Sequence, residues 1–267
     1  MLDLLQIASE RPIAGSEAAF YQHWMDNLSG VADPVALAVQ GGAVVERFGY
    51  IFSAGYQAAI RYVFAEEDFP GWVAFAVSED RSEQNPLPGV ISDGAVLNGY
   101  KTWIAASAVC DHLIISAKDE KDVQYFRLDT AAEEVSVETK PPGRMLPDLS
   151  QGRANLRDAQ GQPLDASRVK SFQPAEVLFI YIAFLASTWR RFTERRTQVE
   201  SLLENAQAIA NGELGWHERM LQLDAEVQAL LQDMRAKEGE ADEYWRRDYK
   251  LIAMYSRQNS RKDSKRS

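Results

Sequence analysis

The sequence predicts an α+β protein: a short N-terminal helical region, then a central antiparallel β-barrel or sandwich, then a C-terminal helical bundle. Near both ends, apolar residues recur at helical spacing. The middle changes to alternating, β-branched runs that are separated by turn residues. Because these strands follow one another at short, regular intervals, they favour an antiparallel barrel or sandwich over βαβ units.

Changes in the residue pattern along the chain predict its domain organisation. We expect an N-terminal helical region at 1–70, a central β domain at 71–171, a C-terminal helical bundle at 172–258 and a basic tail at 259–267. The chain of 267 residues is 46% hydrophobic and 25% charged. These values are typical of a globular protein that is long enough to bury a substantial core.

The N-terminal region carries a helix start signal. Ser16 is a candidate N-cap, and Phe20, Trp24 and Leu28 follow at helical spacing. The segment 34–64 predicts two further short helices. Glycines that permit a close helix approach or a turn are expected to interrupt them, namely Gly41, Gly42 and Gly49.

The central region contains at least five strand-like runs. "WVAFAVSE", "DHLIISAK", "VQYFRLD" and "EVSVETK" are rich in strand-forming residues, and 141–165 is rich in loop residues. In "GAVLNGYKTWIAA", the pair Asn98-Gly99 is the strongest short hairpin signal, so it predicts a turn between two short strands.

The C-terminal region predicts an antiparallel bundle with charged outer faces. The segment 173–211 predicts one long helix or two. The apolar run 177–189 is shorter than the roughly 20 residues of a membrane-spanning helix, so we expect a buried bundle helix and no membrane association. Apolar positions lie on one face of each of two later helices, at Met220, Leu223, Val227, Leu230 and Met234, and at Trp245, Tyr249, Ile252 and Tyr255.

Charge and cysteine content exclude several classes of function. The formal net charge of −10 argues against a nucleic-acid partner, which requires clustered cations. Cys110 is the single cysteine, which fits a reducing cytoplasmic location, and the start of the chain predicts no secretory signal. The three histidines have no metal-ligand spacing.

Two stretches of the central region resemble the acyl-CoA dehydrogenase family. "FAVSED" at 75–80 is similar to the V-T-E-P motif of that family. "LNGYKTWIAASAVCDHLIISAK" at 97–118 is similar to its L-N-G-x-K-x-W-I-T-N-G-x-x-A-D stretch. "YIFSAGYQAAIRYVF" is similar to helices that precede the β domain in some members. The chain resembles a shortened, divergent member of this family, and the similarity is concentrated in residues 33–190.

The resemblance implies an FAD-dependent oxidoreductase that acts on CH–CH bonds of an acyl thioester, carried on CoA or on an acyl carrier. It implies cofactor-binding roles for Val77, Ser78, Trp103 and Ala105, with the Trp103 ring beside the flavin. The alternative to this cofactor-binding role is that Trp103 is buried in the core of the β domain. The resemblance also implies a homo-oligomer, or an assembly with a full-length family partner.

Three departures from the family pattern bear on activity. The turn that holds the FAD pyrophosphate in the family is "DRSEQNPLPG" here, so Asp80 and Glu83 would oppose a dianion that Arg81 and Ser82 could attract. Ala105 stands where the family has Thr. Ser256 stands where many members carry the catalytic Glu, and the catalytic residue is therefore left unknown.

Two hypotheses follow from these departures. Glu194 and Glu200 are conceivable replacements for the missing base, because some members take the Glu from another bundle helix. The alternative function is a non-catalytic acyl-CoA dehydrogenase-like protein that serves as an interaction or structural module.

Overall fold

A computed structural model describes residues 2–11, 13–120, 122–212, 216–237 and 249–263. The helices are α1 Leu2–Ser9, α2 Glu17–Asn27, α3 Pro34–Ala43, α4 Phe48–Val63, α5 Ala166–Arg191, a 3-10 turn at Thr193–Arg195, α6 Arg196–Ala210, α7 Trp216–Lys237 and α8 Lys250–Asp263. The strands are β1 Val73–Ala76, β2 Ile91–Asp93, β3 Val96–Ala105, β4 His112–Lys118, β5 Val123–Asp129, β6 Val135–Lys140, β7 Gln151–Gln160 and β8 Gln162–Leu164. This order of helices, strands and helices confirms the predicted α+β class.

Within the described residues, the chain forms two compact units. The helical unit comprises residues 1–15, 30–62 and 174–267, and the sheet unit comprises residues 16–29 and 63–173. The domain boundaries expected from the sequence, at residues 70 and 171, stay a prediction. Trp245 lies outside the described residues. The predicted basic tail lies partly in the last turns of α8 and otherwise outside the described residues.

The sheet unit contains one eight-stranded sheet. Its order is β6-β7-β3-β2-β4-β5-β8, and β1 pairs with β4. Most pairs are antiparallel, as predicted, but β1–β4 and the single β2–β4 contact are parallel. Among the described strands, the sheet does not close into a barrel, because β6 and β8 lie at its two ends.

Helix α2 packs within the sheet unit, and its start was predicted correctly. Ser16 Oγ accepts a hydrogen bond of 3.1 Å from the backbone N–H of Ala19. Phe20 and Trp24 are fully buried, and their rings meet Trp72 edge-on at centroid distances of 5.3 and 6.0 Å. Aromatic rings prefer such edge-to-face contacts, so this cluster stabilises the start of β1.

The predicted hairpin turn at Asn98-Gly99 is wrong. Both residues lie inside β3, and the β2–β3 turn is formed instead around Gly94, whose φ is +59°. Gly99 has a φ of +128°, and a Cβ there would lie 2.4 Å from the carbonyl oxygen of Gly89. Gly99 is therefore required by a close backbone approach within the sheet unit and not by a turn.

The predicted glycine interruptions are also wrong. Gly41 and Gly42 lie inside α3 and Gly49 lies inside α4. A Cβ at Gly42 would lie 2.3 Å from the carbonyl oxygen of Ala183 on α5. The glycine therefore permits the close helix approach, which was the other interpretation.

Helix α5 is the apolar centre of the helical unit. It has the length and hydropathy of a membrane-crossing helix, yet 72% of its most apolar window is buried inside the protein, as expected for a core helix. The segment 173–211 forms two helices, with α5 ending at Arg191 and α6 beginning at Arg196. The predicted apolar face of α7 is buried, at Met220, Leu223, Val227, Leu230 and Met234.

Candidate functional site

The two stretches that carry the resemblance meet in the sheet unit. The backbone N–H of Thr102 donates a hydrogen bond of 2.9 Å to the carbonyl oxygen of Ser78. This bond places the backbone of Val77 and Ser78, just after β1, against β3 at the residue before Trp103. Val77 is 42% exposed, Ser78 is exposed and Trp103 is half-buried. We call these three residues the ring shelf.

A bulge in β3 explains why Trp103 reaches the surface. Lys101 pairs with Ala154 and Ile104 pairs with Gly152, so β3 has one more residue than β7 between these two pairs. Both Lys101 and Ile104 are fully buried. In an unbroken strand Trp103 would share the buried face of Lys101, but an extra residue reverses the alternation and re-aims the side chain.

The Trp103 ring is held in place by one polar contact at its edge. Its Nε1–H donates to Gln151 Oε1 at 3.0 Å, and Gln151 Nε2 in turn donates to the carbonyl oxygens of Met145 at 2.7 Å and Leu146 at 3.3 Å. This chain of hydrogen bonds orients the half-buried indole. Ala105 is only 4% exposed, so its side chain offers almost no surface, and its cofactor-binding role stays a prediction.

The Glu and the Lys of the two motifs form a buried ion pair. Lys101 Nζ lies 2.9 Å from Glu79 Oε1 and 2.9 Å from Ser116 Oγ, and the Lys101 side chain has 0% exposure. Lys118 lies 3.4 Å from the other Glu79 oxygen. The hydrogen bond from Lys101 lowers the pKa of Glu79, and burial lowers the pKa of Lys101.

This ion pair ties the segment after β1 to β3 and β4, so it positions the ring shelf. Sequence reasoning missed its role. The available signal was a Lys between the apolar residues Leu97 and Ile104 of β3, since a fully buried Lys requires a partner.

Two backbone N–H groups and one hydroxyl of the turn at 80–88 already bind a carboxylate of the chain. Asp80 Oδ1 accepts from the Ser82 backbone N–H at 2.9 Å and also from the Ser82 hydroxyl. Asp80 Oδ2 accepts from the Leu87 backbone N–H at 3.0 Å. These bonds, that of the Ser82 hydroxyl first, lower the pKa of Asp80 to about 2. The ring shelf thus contains exposed side chains, whereas three donors of this turn are occupied by Asp80.

The helical unit contains two carboxylates that sequence reasoning did not identify. Asp224 on α7 is 6% exposed and accepts from the hydroxyls of Ser256, at 2.8 Å, and Tyr181. Glu176 on α5 accepts a bond of 3.0 Å from the Tyr255 hydroxyl, and burial raises the pKa of Glu176 to about 7. In each case the partner is an uncharged hydroxyl.

The two suggested bases have other surroundings. Glu194 is exposed in the 3-10 turn, and Glu200 accepts a hydrogen bond of 2.7 Å from Trp189 Nε1. The position of Ser256 beside Asp224 means that a carboxylate does lie next to the position where the resemblance places a Glu. The signal for Asp224 was an acidic residue on the apolar face of α7.

The remaining candidates for polar chemistry have structural contacts. His112 is buried, and its Nε2 lies 3.2 Å from the carbonyl oxygen of Pro70. Burial raises the pKa of Cys110 to about 12, so its thiol is not activated. No group of three potential metal ligands occurs in the part of the chain that the structure describes.

Comparison with known proteins confirms the fold. No protein-family profile matches the chain, and no curated protein gives a significant match. The chain is similar to the solved structure of butyryl-CoA dehydrogenase from Megasphaera elsdenii, with a TM-score of 0.64 at 10% identity over 97% of this chain and 92% of that chain. It is also similar to the prolyl acyl carrier protein oxidase AnaB, with a TM-score of 0.62 at 13% identity over 97% and 91% of the two chains.

A third similar structure is titled as the FAD complex of PigA. Its TM-score is 0.63 at 12% identity, over 96% of this chain and 90% of that chain. The protein therefore has the acyl-CoA dehydrogenase fold. At these identities the likeness establishes the fold, and the chemistry must be argued from the residues of this chain.

Proposed function

We propose that the protein is a flavin-dependent oxidoreductase that acts on an acyl thioester. The observation that carries this proposal is the ring shelf: a half-exposed Trp103, fixed at its edge by Gln151, beside the exposed Val77 and Ser78. A flat, oriented indole next to an apolar side chain is a suitable surface for an isoalloxazine ring.

The residues of the shelf have separate roles in this proposal. Trp103 supplies a flat apolar face, and the Val77 side chain extends it. The carbonyl of Ser78 is already bonded to Thr102, so the Ser78 hydroxyl is the group that remains for the polar edge of the ring. Ala105 contributes at most its backbone, because its side chain is buried.

The fold neighbours support a proposal for the substrate class. Their titles name a butyryl-CoA dehydrogenase and an acyl carrier protein oxidase. We propose an acyl thioester on CoA or on an acyl carrier, with a bound flavin supplying the acceptor for hydride. Assembly as a homo-oligomer or with a full-length partner, and the cytoplasmic location, stay predictions.

Flavin titration of the purified protein tests the ring shelf. We expect added flavin to bind with its fluorescence quenched, because an indole stacked on the ring quenches it. Trp103→Ala should weaken binding about tenfold, in line with the loss of one aromatic contact of about 1.4 kcal/mol. Trp216→Ala, a change at a half-buried Trp of the helical unit, is the matched control.

Two results would contradict the flavin proposal. The first is wild-type protein that neither carries flavin nor quenches added flavin. The second is a Trp103→Ala variant that unfolds at a much lower temperature than wild type without flavin, since this would make Trp103 a core residue.

A non-catalytic acyl-CoA dehydrogenase-like protein is the second candidate, and one observation favours it. Ser256 occupies the position of the family Glu, and both oxygens of its neighbour Asp224 already accept hydrogen bonds. Bleaching of the flavin absorbance by a panel of acyl-CoA compounds would establish turnover. A flavin-loaded protein that no acyl thioester bleaches would support the second candidate.

A further inference from the structure

We infer that Asp80 is a built-in anion in the loop 80–88, so that this loop does not hold the diphosphate of FAD. It follows that the protein binds riboflavin, FMN and FAD with similar affinity. The part on flavin affinity rests on the proposed function, whereas the part on the loop can be tested without any flavin.

The hydrogen bonds of Asp80 are the first observation. Three donors converge on its carboxylate: the backbone N–H groups of Ser82 and Leu87, at 2.9 and 3.0 Å, and the Ser82 hydroxyl. Backbone N–H groups and a hydroxyl that point into one turn are the donors that bind phosphate oxygens in anion-binding loops. Here an anion of the chain already uses them.

The loop is also attached at its far end. The backbone N–H of Tyr100 donates to the carbonyl oxygen of Pro88 at 2.9 Å. A Cβ at Gly89 would lie 2.7 Å from the Glu79 carboxyl carbon, so the loop passes directly over the buried ion pair. Both ends of the loop therefore have contacts within the sheet unit.

The charges around the loop have both signs, because Arg81 is exposed beside Asp80 and both Lys101 and Lys118 pair with Glu79. Glu79 precedes Asp80 and Glu83 is exposed in the loop. Lys140 acts electrostatically on Asp80, but its ammonium group donates to the carbonyl oxygen of Thr102 at 3.0 Å. The hydrogen bonds therefore carry the inference, since a diphosphate would have to displace Asp80 from its donors.

The selectivity for flavins is the first test. Dissociation constants of riboflavin, FMN and FAD are measured by fluorescence quenching for wild type, Asp80→Asn and Asp80→Ala. Wild type should bind the three within about threefold of one another, and Asp80→Ala should favour FAD over riboflavin by about tenfold, since removal of the carboxylate frees three donors. Asp80→Asn keeps the shape and removes the charge, and should give an intermediate preference.

The matched control is Asp165. It accepts from the backbone N–H of Ser167 at 2.8 Å and from the Ser167 hydroxyl at 2.7 Å, in the same Asp-x-Ser arrangement as Asp80. Asp165→Ala removes the same charge from the same kind of turn at the start of α5. It should leave the three flavin affinities unchanged.

The second test uses inorganic pyrophosphate and needs no flavin. Thermal unfolding is followed with and without pyrophosphate at constant ionic strength. Asp80→Ala should gain a saturable rise of several degrees, since a ligand that binds only the folded state raises the melting temperature, while wild type and Asp165→Ala should not. If Asp80→Ala does not fold, Asp80→Asn takes its place with a smaller rise.

The outcomes separate the two proposals. Wild type that binds FAD at least tenfold more tightly than riboflavin would overturn the inference about Asp80 and leave the flavin site standing. Protein that binds no flavin would overturn the proposed function, and the pyrophosphate test would then decide alone. A folded Asp80 variant with no response to pyrophosphate would show that these amides do not form an anion site, and would overturn the inference.

Discussion

Two partly buried carboxylates, one in each unit, have opposite kinds of partner. In the sheet unit, Glu79 is paired with the ammonium group of Lys101, which lowers the pKa of Glu79. In the helical unit, Glu176 has the uncharged hydroxyl of Tyr255 as its partner, and burial raises the pKa of Glu176 to about 7. A counter-charge offsets the cost of removing a carboxylate from water, whereas a hydroxyl does so only in part.

This difference separates structural from reactive polar groups. In the sheet unit, the charged motif residues Glu79 and Lys101 bind each other and tie the segment after β1 to β3. In the helical unit, Glu176 has a hydroxyl partner and a raised pKa, which is a property that acid–base chemistry uses. The predictions below test this contrast, beginning with the largest effect.

Glu79→Gln should destabilise the protein by about 3 kcal/mol, because the fully buried ammonium group of Lys101 loses its counter-charge. Urea unfolding at pH 7 measures the change. The wild-type advantage is present above the ordinary pKa of Glu, about 4.5, and is lost as the pH falls through the lowered pKa of Glu79.

The double variant Glu79→Gln with Lys101→Met is the control for this prediction. It removes both charges and should recover most of the stability, since an apolar pair of similar volume often replaces a buried ion pair without cost. A single Glu79→Gln variant as stable as wild type would mean that Lys101 does not depend on Glu79, and the contrast between the units would fail.

Glu176→Gln should stabilise the protein, in contrast to Glu79→Gln, and the gain in stability should depend on pH. The raised pKa means that the folded state keeps its proton while the unfolded state loses it between pH 4.5 and about 7, so wild type loses stability over that range. The variant should be more stable than wild type by about 1–3 kcal/mol at pH 8, and equal to it near pH 4.5.

Urea unfolding at several pH values checks this prediction. Glu204→Gln, on the exposed side of α6, is the control. A stability difference between Glu176→Gln and wild type that does not change between pH 4.5 and 8 would show that Glu176 is already ionised in the folded state.

The fold was predictable because its strongest signals are local. The Ser16 cap, the apolar face of α7 and the alternating strands all depend on neighbours within a few residues. The hairpin at Asn98-Gly99 was predicted wrongly for the opposite reason. A glycine is needed at position 99 because the Gly89 carbonyl approaches it closely. Gly89 lies ten residues away in sequence, so a local pattern cannot reveal that contact.

The candidate site was predictable only in part. The motif around Trp103 identified the ring shelf, but the β3 bulge and the bond to Gln151 that orient the indole are tertiary features. The sequence showed Asp80 as a charge that opposes phosphate, and the structure adds that it binds the amides of the loop. The roles of Val77, Ser78, Trp103 and Ala105 as flavin ligands stay predictions.

Ser256→Ala should have a smaller effect on the helical unit. It removes the hydroxyl that donates to Asp224 at 2.8 Å, so a buried carboxylate loses one of its donors at a cost of about 1–2 kcal/mol. Ser256→Thr keeps the hydroxyl and should stay close to wild type in urea unfolding. Equal losses in the two variants would mean that packing, and not the hydrogen bond, is what matters at this position.

Glu138→Gln should give the smallest effect, below about 0.5 kcal/mol, and the little there is should vanish in high salt. Glu138 and Arg153 face each other across β6 and β7, 2.6 Å apart, with exposures of 60% and 38%. This pair has the same charges as Glu79 and Lys101 and lies in the same sheet, so it isolates the effect of burial. The exposed pair is expected to be weak because water screens its charges, whereas Lys101 is shielded from water. A loss of stability as large as that of Glu79→Gln would mean that burial does not decide the strength of these ion pairs.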